Sequence, residues 1–225
     1  EIISIKSGGN IIRGNVFFES KGSLTLRHGN GNTVEENIFL GNGKAETGGI
    51  RVINGDQKII NNYMQDLMGD QFRAGIAVMN GVPNSSINRY HQVKNAQISN
   101  NSVINVAHIE LAVGSDEERS AVPIGSAFTD NLIFIEKATE IFKAYDDITG
   151  ISFSGNVSNF SSLVLKEGVS IQDIQLEKAA NGLLYPTDKS IKAGASRELK
   201  VLDKSETGIS WYPKVSKEIV FGKGD

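Results

Sequence analysis

Three cations, Lys6, Arg27 and Arg51, follow one another at intervals of 21 and 24 residues. If about that many residues make one repeat of the structure, the three side chains lie on neighbouring repeats of one face. An amine and two guanidinium groups brought together repel one another, and such a cluster is unfavourable without an anionic partner. The spacing therefore indicates a site for one extended anionic chain; three unrelated surface cations are the alternative interpretation.

Glu1 adds an anion five residues before Lys6. Its carboxylate can pair with Lys6, or it can contribute to a site for a hard cation such as Ca²⁺, which takes several oxygen ligands. One carboxylate cannot make such a site by itself.

A short phrase built around asparagine indicates the elements that position these residues. In each copy an apolar residue and two or three others precede an asparagine, which is followed by an apolar or β-forming pair. The steps between successive asparagines are 22, 25, 39, 30 and 25 residues. A period in the low twenties with occasional insertions is typical of the coils of a β-solenoid. The six asparagines are Asn15, Asn37, Asn62, Asn101, Asn131 and Asn156.

Short stretches rich in Ile, Val and Phe, separated by Gly and Asn turns, predict strands rather than helices. The 24 glycines suit the many corners of a solenoid. Coils stacked about 4.8 Å apart pair each strand with the coils above and below it, and asparagines repeated at one corner can form a ladder of side-chain amides. We therefore expect an all-β fold in which the asparagines are structural and not catalytic.

The chain is divided into two predicted regions. Residues 1–165 are expected to form the coils that carry the cationic face, and residues 166–225 an irregular, strand-rich tail that packs on or caps the solenoid. The two longest steps predict projecting loops from about Asp66 to Asn95 and from about Ala107 to Gly125. Loops on one face of a repeat array often hold ligands. Trp211 in the tail is interpreted as a packing anchor.

Composition narrows the classes of function. The net charge of −3 gives no general basic field, so nucleic acid is a poor candidate and an anion must be held by a local cluster of cations. The absence of cysteine excludes disulfide scaffolds, thiolate metal sites and cysteine nucleophiles. No apolar run approaches the roughly 20 residues that span a bilayer. Because the chain opens on a strand-like stretch without Met and without a signal peptide, we expect further sequence upstream.

Other polar residues are interpreted as ordinary. His91 and His108 have no partners at metal-ligand spacing in the sequence. The acidic run at 116–119 lacks the alternating spacing of an EF-hand loop and is interpreted as a solvated loop tip. Asp146 and Asp147 are adjacent, and neighbours in a strand point to opposite faces, so they do not suit shared catalysis on one bond.

The motifs EIISIKS, GSLTLRHGNGNTVEENIFLGNG and GGIRVI resemble polysaccharide lyase family 6, which includes alginate lyases and a chondroitin (dermatan sulfate) lyase. The resemblance runs from Glu1 to about Pro186 and depends on KS, LRHG and GG at these spacings. It implies a right-handed parallel β-helix, in agreement with the repeat, with this chain as its carboxyl-terminal part. It also implies a secreted or periplasmic protein.

For catalysis, the resemblance implies that Lys6 is the Brønsted base of a β-elimination and Arg27 the acid. Lys6 must be neutral to take a proton, and nearby positive charges favour the neutral amine. A guanidinium is effectively always protonated in proteins, so we expect Arg27 chiefly to stabilise negative charge. Whether Arg27 or water delivers the proton to the departing oxygen stays open.

For binding, the resemblance implies that Glu1 is one acidic ligand of Ca²⁺. A second acidic ligand two residues upstream and an Asn ligand about a coil earlier would precede position 1, so the upstream part of the same β-helix is expected to complete the site. His28 and Arg51 match substrate-contacting positions. Tyr90 falls where the alginate-cleaving members have a substrate-contacting tyrosine.

The leading functional hypothesis is therefore Ca²⁺-assisted cleavage of alginate, an anionic polysaccharide, by β-elimination. A dermatan sulfate or chondroitin lyase of the same family is the second hypothesis. A β-helix that binds polysaccharide without cleaving it is the third. The sequence does not predict the oligomeric state.

Overall fold

The six repeated asparagines stack at one corner of the protein. In the computed structural model, the Nδ2 of each donates to the Oδ1 of the next at 2.9 to 3.0 Å. All but Asn15 are fully buried, and each of these five also donates its Nδ2 to a backbone carbonyl. A buried amide needs such partners, because an unsatisfied one is costly. The predicted amide ladder is confirmed.

Strands dominate the described part of the chain, which comprises residues 1–86, 88–137, 139–165 and 167–209 and contains no α-helix. Two short 3-10 helices lie at Gln71–Arg73 and Lys204–Glu206. The strands in chain order are β1 Ile3–Lys6, β2 Ile11–Arg13, β3 Val16–Phe18, β4 Gly22–His28, β5 Thr33–Glu35, β6 Ile38–Leu40, β7 Thr47–Val52, β8 Lys58–Ile60, β9 Tyr63–Gln65, β10 Ile76–Met79, β11 Gln97–Ser99, β12 Ser102–Ile104, β13 Ile109–Val113, β14 Ser126–Thr129, β15 Leu132–Phe134, β16 Phe142–Ala144, β17 Ile151–Ser154, β18 Asn156–Ser158, β19 Val169–Ile171, β20 Leu176–Lys178 and β21 Leu184–Pro186.

Every third strand of the solenoid enters the same sheet. The first sheet has the order β1-β4-β7-β10-β13-β16, the second β2-β5-β8-β11-β14-β17, and the third β3-β6-β9-β12-β15-β18-β19. All pairings within these three sheets are parallel. The chain therefore winds as a three-walled parallel β-helix, as predicted.

Side-chain alternation in the first sheet separates a core column from an outer row. The core column is buried between the walls and consists of Leu24, Ile50, Ile76, Ile109 and Phe142. Burying each such side chain stabilises the fold by about 1.5–3 kcal/mol relative to exposure. The outer row, one position later in each strand, consists of Thr25, Arg51, Ala77, Glu110 and Lys143.

The prediction of two long projecting loops is partly wrong. Strand β10 lies inside the first segment and β13 inside the second, and both belong to the first sheet. The asparagine phrase marks the corner between the second and third sheets. It therefore does not predict where the strands of the first sheet lie. The connections that follow these strands, at 80–96 and 114–125, are the insertions.

The tail packs along the third sheet. Strand β19 extends that sheet, and β20 and β21 form an antiparallel hairpin. Leu183 and Tyr185 of the hairpin region are buried against Ile104 and Tyr63 of the third sheet. Of the predicted tail, residue 166 and residues 210–225, including Trp211, lie outside the described part. Within the described part, no helix has the length and apolar character needed to cross a membrane.

Candidate active site

The three predicted cations lie on neighbouring strands of the first sheet. Lys6 ends β1, Arg27 lies in β4 and Arg51 in β7. They do not stand in perfect register. Lys6 is aligned with His28, because the pairing of β1 with β4 shifts just before it. Arg51 is aligned with Thr25. The cations therefore form a staggered line across three coils.

Tyr90 joins two of these cations. Arg27 donates from Nη1 to the Tyr90 hydroxyl oxygen at 2.6 Å, and Arg51 donates from Nη2 to the same oxygen at 2.7 Å. The guanidinium of Arg27 also lies over the Tyr90 ring, 4.4 Å from its centroid. Tyr90 belongs to the 80–96 insertion, so this loop closes over the outer face of β4 and β7.

Arg51 is the most enclosed of the three cations, with 6% of its surface exposed. Its guanidinium lies 4.5 Å from the ring centroid of Phe72. Phe72 belongs to the 3-10 helix before β10. Its Nη1 is 3.7 Å from Oε1 of Glu1. Burial lowers the pKa of Arg51, while the phenol of Tyr90 opposes that shift. Glu1 therefore pairs with Arg51, where the sequence suggested Lys6.

The surroundings of Tyr90 lower the pKa of its phenol. Burial acts to raise the pKa of the phenol, but the hydrogen bond from Arg27 and the positive charges of Arg51 and Arg27 outweigh it, so the pKa lies below its ordinary value. A third guanidinium, that of Arg119, is 5.4 Å from the ring centroid.

Arg119 was missed by the sequence interpretation. It sits in the 114–125 insertion, where an ion pair and hydrogen bonds to Asp116 hold it. The run at 116–119 is thus only partly a solvated tip, because its last residue turns toward Tyr90. The insertions at 80–96 and 114–125 are separated in sequence by three strands and meet here. The repeat spacing does not predict this contact.

Lys6 and His28 face more open surroundings. Lys6 is exposed and has no hydrogen-bond or ion-pair partner in the described part of the chain. His28 is half-buried, and its Nδ1 is buried without a hydrogen-bond partner in that same part. The exposed amine of Lys6 is therefore available to a ligand, whereas Nδ1 of His28 is enclosed by protein.

A second polar cluster lies further along the first sheet. Asp70, His108 and Glu110 offer ligand atoms within 4.8 Å of one another, which is compatible with a metal ion. The sequence interpretation of His108 as a residue without such partners was wrong, because β13 brings it beside the 3-10 helix at 71–73. The ammonium of Lys143, however, lies 2.9 Å from Asp70 Oδ1 and 3.3 Å from Glu110 Oε1. A cation therefore already occupies the space between the carboxylates.

Ionisation in this cluster is uneven. Burial raises the pKa of Glu110, and the neighbouring Asp70 carboxyl raises it further. The neighbouring Glu110 carboxyl and a hydrogen bond from the Lys143 ammonium hold the pKa of Asp70 well below its usual range. The buried and the exposed carboxyl of this cluster are therefore shifted in opposite directions.

Comparison with known proteins adds a family. Residues 1–197 match the chondroitinase B family. No curated protein matches the chain.

Solved structures with the same fold include alginate lyases. The chain is 55% identical to the alginate lyase AlyGC of polysaccharide lyase family 6, with a TM-score of 0.92, over 100% of this chain and 31% of that one. It is 28% identical to a mannuronic acid specific family 6 lyase from human gut microbiota, with a TM-score of 0.63, over 75% and 40% of the two chains. It is 27% identical to alginate lyase AlyF-OU02, solved with G6, with a TM-score of 0.67, over 87% and 46%. The chain thus spans about a third of the length of AlyGC.

Proposed function

Because the chain belongs to the chondroitinase B family, we propose that it carries the catalytic face of a polysaccharide lyase that cleaves alginate by β-elimination. The observation that carries this proposal is the convergence of Arg27 and Arg51 on Tyr90, one strand from the partner-free amine of Lys6. Two guanidinium groups and an amine on one face of the first sheet suit a chain that bears one carboxylate per sugar.

The chemistry explains why these residue types are needed. A uronic acid unit has a carbon-bound hydrogen next to its carboxylate, and removal of that hydrogen as a proton places a second negative charge beside the first. Lys6, as a neutral amine, takes the proton. Arg27 stabilises the charge that develops on the carboxylate, as preorganised donors do in a partly water-excluded site. Arg51 and His28 orient the neighbouring sugars.

Glu1 fits one ligand position of the Ca²⁺ ion that the family resemblance implies. Its side chain is 32% exposed, and its only ion pair within the described residues is the 3.7 Å contact with Arg51, so its oxygens can reach another cation. Ca²⁺ takes six to eight oxygens, so Glu1 would be one ligand among several. When bound, the ion would supply positive charge at the substrate carboxylate.

Dermatan sulfate is the second candidate substrate, because the matched family is the one described as chondroitinase B. Both polymers contain uronic acid units, and the same base and guanidinium groups would serve either. Alginate is preferred because the 55% identical structure is an alginate lyase. An enzyme of this kind works on extracellular polymer, so we place the protein outside the cytoplasm, secreted or periplasmic.

The decisive experiment is a lyase assay on the longest natural form of the protein. With Ca²⁺ and alginate, the wild type should release products whose unsaturated ends absorb ultraviolet light. Lys6→Ala should reduce that rate by at least about 10²–10⁴-fold, the usual contribution of a general base. Lys58→Ala is the matched control, since Lys58 is an exposed lysine on the second sheet. Full activity in Lys6→Ala would refute the mechanism. Product from dermatan sulfate and none from alginate would make dermatan sulfate the substrate.

A further inference from the structure

The hydroxyl of Tyr90 has one unused hydrogen-bonding capacity. A phenol oxygen accepts through its lone pairs and donates through one O–H. Arg27 and Arg51 donate to this oxygen from two directions, at 2.6 Å and 2.7 Å. In the described part of the chain no acceptor lies within hydrogen-bond distance of the Tyr90 O–H. Because both guanidinium groups are donors, neither can accept this hydrogen, so the O–H stays free to donate to a ligand.

Building on the proposed lyase function, we propose that Tyr90 is a catalytic residue whose phenol gives its proton to the departing glycosidic oxygen. In the family resemblance Tyr90 only contacts substrate, and proton delivery was left to Arg27 or to water. The geometry separates these roles. Arg27 and Arg51 hold the phenol oxygen, and the phenol carries the proton.

Charge supports the same division of labour. A guanidinium does not give up its proton in proteins, whereas a phenol ionises near pH 10 when unperturbed. The phenolate left by proton transfer would lie against Arg27 and Arg51, with the Arg119 guanidinium 5.4 Å from the ring centroid. The hydrogen bond and the positive charges also lower the pKa of Tyr90 against the effect of burial. Three cations thus stabilise the product of the transfer.

The position of the ring is fixed by the loop that carries it. The backbone carbonyl of Tyr90 accepts from the N–H of Val82 at 2.7 Å. The ring packs on a small apolar cluster of the outer face that includes Ala77 and Met79. A proton donor must be held within hydrogen-bond reach of its target, and these contacts hold the phenol over β4 and β7 without the substrate.

The step balances. The Lys6 amine takes the proton from the carbon that bears the carboxylate, and the electrons of that C–H bond form the new carbon–carbon double bond. The bond from the neighbouring ring carbon to the glycosidic oxygen breaks. That oxygen takes the hydrogen of Tyr90 and leaves as an alcohol. Solvent then removes one proton from the Lys6 ammonium and returns one to the Tyr90 phenolate, so no net proton is gained or lost.

Tyr90→Phe tests the proposal because it keeps the ring and removes the acid. On alginate, kcat should fall by about 10²–10³-fold, within the range for a general acid. The loss should be under about tenfold on a synthetic uronoside that carries a nitrophenyl ether on the ring carbon next to the one that loses its proton, since a nitrophenolate departs without needing a proton. Tyr145→Phe is the matched control, because Tyr145 is an exposed tyrosine just after β16 of the same sheet.

The outcomes separate the two proposals. A wild-type protein that forms no unsaturated product from either polymer or from the synthetic uronoside refutes the lyase function itself. An active wild type whose Tyr90→Phe variant keeps kcat and changes only KM makes Tyr90 a binding residue and overturns the acid role. An equal fall in kcat on alginate and on the synthetic uronoside would also overturn the acid role. It would mean that the hydroxyl serves only to hold Arg27 and Arg51 in place.

Discussion

The hydroxyl of Tyr63 in the third sheet accepts a hydrogen bond from the backbone N–H of Leu184 at 3.0 Å, across 121 residues of sequence. The same hydroxyl donates to Gln65 at 2.7 Å. Tyr63 is fully buried, and burial raises its pKa, so it stays neutral and can both accept and donate. This one side chain ties the tail hairpin to the wall of the solenoid.

Tyr63→Phe should therefore loosen the tail. The substitution leaves the Leu184 N–H and the Gln65 oxygen without their partner, and each buried unsatisfied group costs about 1–3 kcal/mol. We expect the free energy of unfolding to fall by about that amount and amide exchange in β20 and β21 to accelerate more than in the first sheet. Exchange that accelerates equally in all sheets would contradict a local role for this contact.

Asn101→Ala should be more damaging than Asn15→Ala. Asn101 accepts two hydrogen bonds from Asn62 and donates to Asn131 and to a backbone carbonyl, all in the interior. Asn15 is exposed and takes part in one step of the ladder only. Denaturant unfolding should show a loss of about 2–5 kcal/mol for Asn101→Ala, from two or more unsatisfied groups, and under about 1 kcal/mol for Asn15→Ala. Similar losses would mean that the ladder adds little to stability.

Lys143→Met should make stability depend on pH. In the wild type the lowered pKa of Asp70 adds stability above the pKa of Asp70 in the unfolded chain, and this stability is lost as the pH falls through the folded pKa. The raised pKa of Glu110 has the opposite effect and makes the folded state more stable at low pH. Without the ammonium, both carboxyls bind protons more readily in the folded state. The deficit should be about 1–2 kcal/mol at neutral pH, a discounted value because Lys143 is 38% exposed.

That deficit should begin to shrink at about pH 4, where the carboxyls of the unfolded chain take up protons. It should shrink further as the pH falls through the lowered pKa of Asp70. His108 and Tyr145 also face this cluster, so the measurement is made by urea unfolding at several pH values and compared with Lys58→Met, which has no carboxylate near it in the described part. A deficit that is independent of pH would show that Lys143 contributes packing alone.

Tyr90 should ionise below the ordinary range of a phenol. Ultraviolet difference titration of wild type against Tyr90→Phe isolates its tyrosinate signal from those of the other four among the chain's five tyrosines. Removing the third cation by Arg119→Ala should move the midpoint upward. Arg89→Ala should not, because Arg89 is an exposed arginine of the insertion that carries Tyr90 and is paired with Glu118. A midpoint unmoved by Arg119→Ala would show that this guanidinium is too far away to matter.

The parts of this protein that sequence predicts are the parts that repeat. The asparagines recur at one corner, so their ladder and the coils follow from spacing. Spacing also predicts that Lys6, Arg27 and Arg51 lie on neighbouring strands. It does not predict that they are staggered, because one irregular pairing before Lys6 changes the register. The approach of Arg119 to Tyr90 and the pairing of Lys143 with Asp70 come from insertions and irregular connections, whose paths depend on packing and not on period.

The ladder has a direction. Every bond between two asparagine amides runs from the lower-numbered coil to the higher-numbered one. At Asn156 the backbone carbonyl of Gly168 accepts from both the N–H and the Nδ2, in the place that a seventh asparagine would take. A main-chain group thus terminates the stack on this side, so the sequence can leave the solenoid here without a buried amide losing its partner.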